Sequence, residues 1–90
     1  MYTETATIVN PTGLHARPAS EFVMEAKKFA SKVFIKPVGS AADPINAKSM
    51  VRLLSIGVAK GAQVEISADG EDEKQAVQAL VALVNSGFGE

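Results

Sequence analysis

The ninety residues contain no cysteine, no tryptophan and a single histidine. The missing thiols exclude a disulfide framework and a thiolate nucleophile. One imidazole leaves a zinc site short of ligands, so neither a metal nor a cofactor is expected. No apolar run approaches the length of a membrane span. The opening Met1-Tyr2-Thr3-Glu4 lacks the basic and then apolar pattern of a signal segment, and the chain reads as cytoplasmic. The net charge is only −1. Without a basic stripe, nucleic-acid binding is not expected. The small total hides an asymmetry: Arg17, Lys27, Lys28, Lys48 and Arg52 precede an acidic run from Asp69 to Glu73.

What is present suits a small folded unit. Hydrophobic residues make up 47% and charged residues 21%, a globular balance. Residues 1–90 are read as one domain, burying roughly 60–65% of the unfolded surface. Tyr2 to Val9 alternates as a strand, with Ala6 and Ile8 on one face and Thr5 and Thr7 on the other. Ala19, Phe22, Val23, Ala26 and Ala30 stand at helical spacing and predict a helix from about Ala16 to Phe29. A strand from Lys32 to Val38 follows, then a loop at 39–44 and at most a short strand at 45–47. A short helix runs from Lys48 or Ser49 to about Leu54. Ala62 to Ala68 alternates again, with Gln63, Glu65 and Ser67 outward. Val77, Leu80, Val81 and Val84 mark a last amphipathic helix, whose first turn is loaded by Glu71, Asp72 and Glu73 and which stops near Gly87. The order is β-α-β-β-α-β-α. One-sided alternation with two striped helices suits an α+β antiparallel sheet with helices on one face.

The histidine sits where this pattern changes from loop to helix. Asn10, Pro11, Thr12 and Gly13 are turn residues, and Pro18 is tolerated in a first turn. His15 therefore lies at or just before a helix N-terminus, with Arg17 two residues on. Unpaired N–H groups and the positive end of the helix dipole favour a neutral ring and a neighbouring anion. Arg17 adds a planar fork of donors that fits phosphate oxygens. A solvated histidine near a cap is the bland alternative. The Gly-x-His-x-Arg-Pro grouping favours a histidine that carries a phosphoryl group.

Gly13-Leu14-His15-Ala16-Arg17-Pro18-Ala19 resembles the active-site motif of HPr, the histidine-containing phosphocarrier family of the bacterial phosphoenolpyruvate:sugar phosphotransferase system. The likeness continues through Ala47-Lys48-Ser49-Met50, Gly57-Val58-Ala59-Lys60-Gly61 and the stretch from Val64 to Glu73. It loosens only at 39–44, where the sequence carries a few residues more than the family's tight hairpin. The resemblance implies an open-faced sandwich with strand order 1-4-2-3 and three helices on one face. It implies a stoichiometric carrier rather than an enzyme, and a monomer. Phosphorylated enzyme I would charge His15 at Nδ1, and enzyme IIA domains would receive the group for sugar uptake. Backbone N–H groups of Ala16 and Arg17, with the Arg17 guanidinium, would hold the oxygens. Ser20, Met50, Val51 and Leu54 would form the surface that meets donor and acceptors.

Ser49 has two readings. At a helix start its hydroxyl caps exposed N–H groups. The resemblance makes it a conditional regulatory phosphoserine in hosts with an HPr kinase/phosphorylase, read by a transcription factor. A nitrogen-type branch or a Ser49-dependent regulatory module is thus the alternative to sugar uptake. The acidic run offers no acid–base pair, since adjacent carboxylates do not face one another on a helix. No phosphate-cradling glycine loop or nucleophilic triad can be assembled, which sets hydrolysis aside.

Overall fold

The computed structural model of the protein describes residues 1–89. Its elements are β1 (Tyr2–Thr7), α1 (Ala16–Ala26), β2 (Lys32–Pro37), β3 (Ile45–Asn46), α2 (Met50–Ser55), β4 (Gln63–Asp69) and α3 (Glu73–Asn85), followed by a 3-10 turn at Gly87–Gly89. The four strands form one antiparallel sheet in the order β1-β4-β2-β3. The expected element order and strand order are both present.

Register explains which face is covered. Tyr2, Glu4 and Ala6 of β1 stand opposite Ala68, Ile66 and Val64 of β4, which in turn oppose Val33, Ile35 and Pro37 of β2. Because side chains alternate along a strand, these residues share one face. Phe22, Val23 and Ala26 of α1, Leu53 of α2 and Ala76, Val77, Leu80 and Val84 of α3 are buried in one core with Ala6, Val33, Ile35, Val64, Ile66 and Ala68 of that face, and partly buried Tyr2 packs against it. α3 lies along β1 and β4, while α1 packs against both other helices. Burying a valine or leucine side chain contributes roughly 1.5–3 kcal/mol, so this stripe-to-sheet contact organises the chain.

Several boundaries differ from the sequence reading. α1 ends at Ala26, not Phe29, and Ala30 of the proposed stripe is exposed. The chain leaves the helix through Lys27–Phe29, and Lys48 Nζ donates to the Phe29 carbonyl at 2.7 Å. β1 ends at Thr7, yet Ile8 still hydrogen-bonds Ala62 and Gly61 through its backbone. Ser67 faces outward but is buried. It stands opposite Phe34, and together with Met1 and Pro44 these residues line a shallow depression on the sheet's outer face. The 39–44 loop thus places Pro44 against that face. Its turn is held by Ser40 N donating to the Pro37 carbonyl and Ala42 N donating to Ser40 Oγ.

Candidate functional site

The loop before α1 is shaped by its backbone. Asn10 is fully buried, and its Nδ2 donates to the Gly13 carbonyl at 2.8 Å and to Thr12 Oγ1 at 3.2 Å. Gly13 N donates back to the Asn10 carbonyl at 3.2 Å, closing the turn. Gly13 has φ +68, and a Cβ there would lie 2.6 Å from the Val58 carbonyl oxygen and 2.8 Å from Ala59 Cα. Only glycine satisfies both the left-handed backbone and the close approach. Leu14 is buried, and its N–H donates to the Val58 carbonyl at 3.2 Å. The loop is therefore braced against the segment joining α2 to β4.

His15 follows as the N-cap of α1. Its backbone is extended, with φ −133 and ψ 162, and its side chain makes no capping hydrogen bond. The residue is exposed, as are Ala16 and Arg17, while Pro18 and Ala19 turn inward. Ala16 has φ +49, the left-handed region that an alanine seldom occupies. The first intrahelical contact, Ala19 N to the His15 carbonyl, is long at 3.5 Å. The helix begins with no acidic residue in its first turn. Its leading N–H groups have no carbonyl behind them in the helix and point toward the cap.

The structure brings Arg17 to the same helix start as His15 and gives it a partner absent from the sequence reading. Arg17 Nη1 donates to Glu21 Oε1 at 2.6 Å, an i,i+4 ion pair on the exposed flank. The i,i+4 spacing from Arg17 to Glu21 is the signal in the sequence that points to this pair. Glu25 instead pairs with Lys28 at 3.0 Å.

The second group of predicted residues lies on and around α2. Ser49 is its N-cap and accepts from Arg52 N at 3.3 Å, so the capping role is present. Leu53 is fully buried and Met50 partly so. Val51 is 80% exposed and Leu54 40% exposed. Ser20 is exposed on α1, and its hydroxyl lies 3.9 Å from the sulfur of Met24, itself an exposed methionine. A groove of about 470 Å³ lined by Asp43, Pro44, Ile45, Asn46, Ser49 and Arg52 includes no residue of the His15 loop. The histidine stands on an open surface.

The acidic run has another task. Asp72 accepts from Ala30 N at 2.9 Å, from Ser31 N at 3.0 Å and from Ser31 Oγ. The Ser31 hydroxyl, and after it the Ala30 N–H, hold the Asp72 carboxyl below the usual carboxylate range. Glu73 Oε1 accepts from Gly70 N at 3.2 Å while Glu73 N donates to the Gly70 carbonyl, a reciprocal cap on α3. Among the described residues no cluster of three metal-ligating side chains occurs, and no helix is long and apolar enough to cross a membrane.

Comparison with known proteins decides the family. The family profile described as the phosphotransferase-system HPr component phosphorylation site matches residues 2–86. The chain belongs to the HPr family. It is similar to the phosphocarrier protein HPr of Haemophilus influenzae, with 45% identity over 84 residues covering 93% of this chain and 95% of that one. The structure resembles HPr of Thermoanaerobacter tengcongensis with a TM-score of 0.92, 46% identity and coverage of 100% and 98%. It also resembles the catabolite-repression protein Crh of Bacillus subtilis, a swapped dimer, with a TM-score of 0.73, 39% identity and 97% of each chain covered. HPr proteins are phosphocarriers of the phosphotransferase system.

Proposed function

We propose that His15 is the phosphoryl carrier, charged by phosphorylated enzyme I and discharged to a histidine of an enzyme IIA domain. The observation that carries this reading is the exposed imidazole at the start of α1, free of any capping bond and mounted on a braced loop. A ring-nitrogen lone pair attacks phosphorus, a new N–P bond forms, and the donor's N–P bond breaks with its electron pair returning to the donor imidazole. The second transfer runs the same exchange outward, with no oxidant and no water consumed. N–H groups of Ala16 and Arg17 and the Arg17 guanidinium hold the oxygens at the helix start. A phosphoryl group there is about a dianion, which suits a first turn that has no carboxylate of its own.

Ser20, Met50, Val51 and Leu54 form the docking surface. Exposed Val51 and Leu54 supply apolar contact, and partly buried Met50 supplies an adaptable side chain. One patch serves donor and acceptor in turn, so each encounter is brief. The carrier works as a monomer in the cytoplasm, as a single domain spanning 1–90, without a cofactor.

The test is incubation with phosphoenolpyruvate and enzyme I, followed by location of the modification. The expected product is an acid-labile, base-stable phosphate on His15, absent in His15→Ala at unchanged melting temperature. An unmodified wild type in the presence of active enzyme I overturns the reading.

A regulatory use of Ser49 is the second reading, favoured by the likeness to Crh and by the hydroxyl's place at the start of α2. A phosphate there sits beside exposed Val51 and would repel an acidic partner. Ser49→Asp is expected to accept the phosphoryl group more slowly than Ser49→Ala, and equal rates overturn the repulsion.

A further inference from the structure

We infer that Glu21 is a positioning residue for the carrier reaction: it competes with the phosphoryl group for the Arg17 guanidinium and so weakens the hold on phosphate at His15. The inference rests on the reading of His15 and Arg17 above and adds a residue to it. Arg17 is the second residue of α1, and Glu21 lies one turn further along, about 6 Å in axial rise. A helical side chain ordinarily leans back toward the N-terminus, here toward His15. The 2.6 Å contact between Nη1 and Oε1 instead engages the guanidinium with the second turn.

The pair is built to be exchanged. Both side chains are substantially exposed, at 57% for Arg17 and 34% for Glu21, so water and salt screen the attraction. The cation precedes the anion along the helix, the weaker of the two orders because it opposes the dipole. Glu21 offers one negative charge, whereas a phosphoryl group offers nearly two and three acceptor oxygens. Transfer to His15 therefore shifts the balance from carboxylate to phosphate. Competition from Glu21 lowers the net gain, which keeps the group easy to pass on. A carrier profits from that; a storage site would not.

The experiment measures the equilibrium between phosphorylated enzyme I and this protein for wild type, Glu21→Gln, Arg17→Gln and the double variant. Glu21→Gln should raise the ratio of phosphorylated to unphosphorylated His15 by about two- to fivefold, the range of an exposed ion pair. The gain should vanish in the Arg17→Gln background and shrink in 1 M salt, where the screening length is about 3 Å. The Arg17 Nε resonance should move on phosphorylation, and Glu21→Gln should shift its unphosphorylated position toward the phosphorylated one. No change, a fall in the ratio, or an equal gain without Arg17 overturns the inference. Charging with phosphoramidate in parallel separates the two failures. A wild type phosphorylated at His15 with an unresponsive Glu21→Gln sinks only this inference, while a wild type that never takes the group at His15 sinks the carrier reading and this inference together.

Discussion

Two helix starts in this molecule face the same physical problem and answer it differently. α3 begins with its own acid: Glu73 closes a reciprocal cap with Gly70, and Asp72 reaches across to the chain at Ala30 and Ser31. α1 begins with a histidine that caps nothing, an alanine in a left-handed conformation and a cation. Carboxylates near an exposed helix N-terminus are stabilising by roughly 0.3–1 kcal/mol each, so the first arrangement favours stability. The second forgoes that gain, its first turn carrying no carboxylate. On the proposed reading, the same backbone electrostatics holds the fold together at one start and serves a transferable group at the other, depending on which side chains the sequence places in one turn.

Substitutions can invert or sharpen this contrast. The largest effect is expected from giving α1 an acid. Arg17→Glu should accept the phosphoryl group more slowly than Arg17→Gln by roughly tenfold, because a like charge then meets the incoming dianion. The melting temperature should barely move, since the position is exposed. Enzyme I assays with both variants measure the ratio, and equal rates would show that the charge of this turn is irrelevant to the chemistry.

Gly13→Ala attacks the brace beneath the histidine. The new Cβ would strike backbone at Val58 and Ala59 in a left-handed conformation, and neither neighbour can swing aside. A loss of about 2 kcal/mol in urea denaturation is expected, with slower phosphorylation of His15.

At the other helix start the readout is acid stability. The Asp72 carboxyl is held below its usual range by the Ser31 hydroxyl and the Ala30 N–H. A depressed carboxylate stabilises the fold above the unfolded value near pH 3.9 and loses that contribution as pH falls through the lower folded value. Asp72→Asn should lower the melting temperature at pH 7 by roughly a few degrees and flatten its decline under acid. A parallel acid limb in the variant would contradict the assignment. Ser49→Ala is the mildest change: it removes one cap from a six-residue helix and should cost about 0.5–1 kcal/mol in the same denaturation.

The histidine loop was legible because its information is local: turn residues, a helix-start proline and an apolar stripe lie within one short stretch. Strand order was not in the alternation itself. Periodicity indicated an antiparallel sheet covered on one side, and the family resemblance supplied 1-4-2-3. The contacts of Asp72 escaped because its partners lie 41 and 42 residues away, and a carboxylate in a first turn already had a sufficient local explanation. Ser67 was placed outward, which the register supports, but its burial depends on Met1, Phe34 and Pro44 sharing that face. Arg17 and Glu21 mark a different failure. Their i,i+4 spacing is readable in the sequence, but an exposed pair leaves no apolar stripe or turn residue to single it out.

One bond ties the site to a distant part of the chain: the Leu14 N–H donated to the Val58 carbonyl. Its lifetime against deuterium exchange would act as a clock for the whole apparatus, because the amide opens only when the loop and the connection behind it part. Sequence drift between α2 and β4 therefore has a route to the imidazole that touches neither the helix nor any docking partner. A lengthened or shortened connection there would retune the carrier from behind.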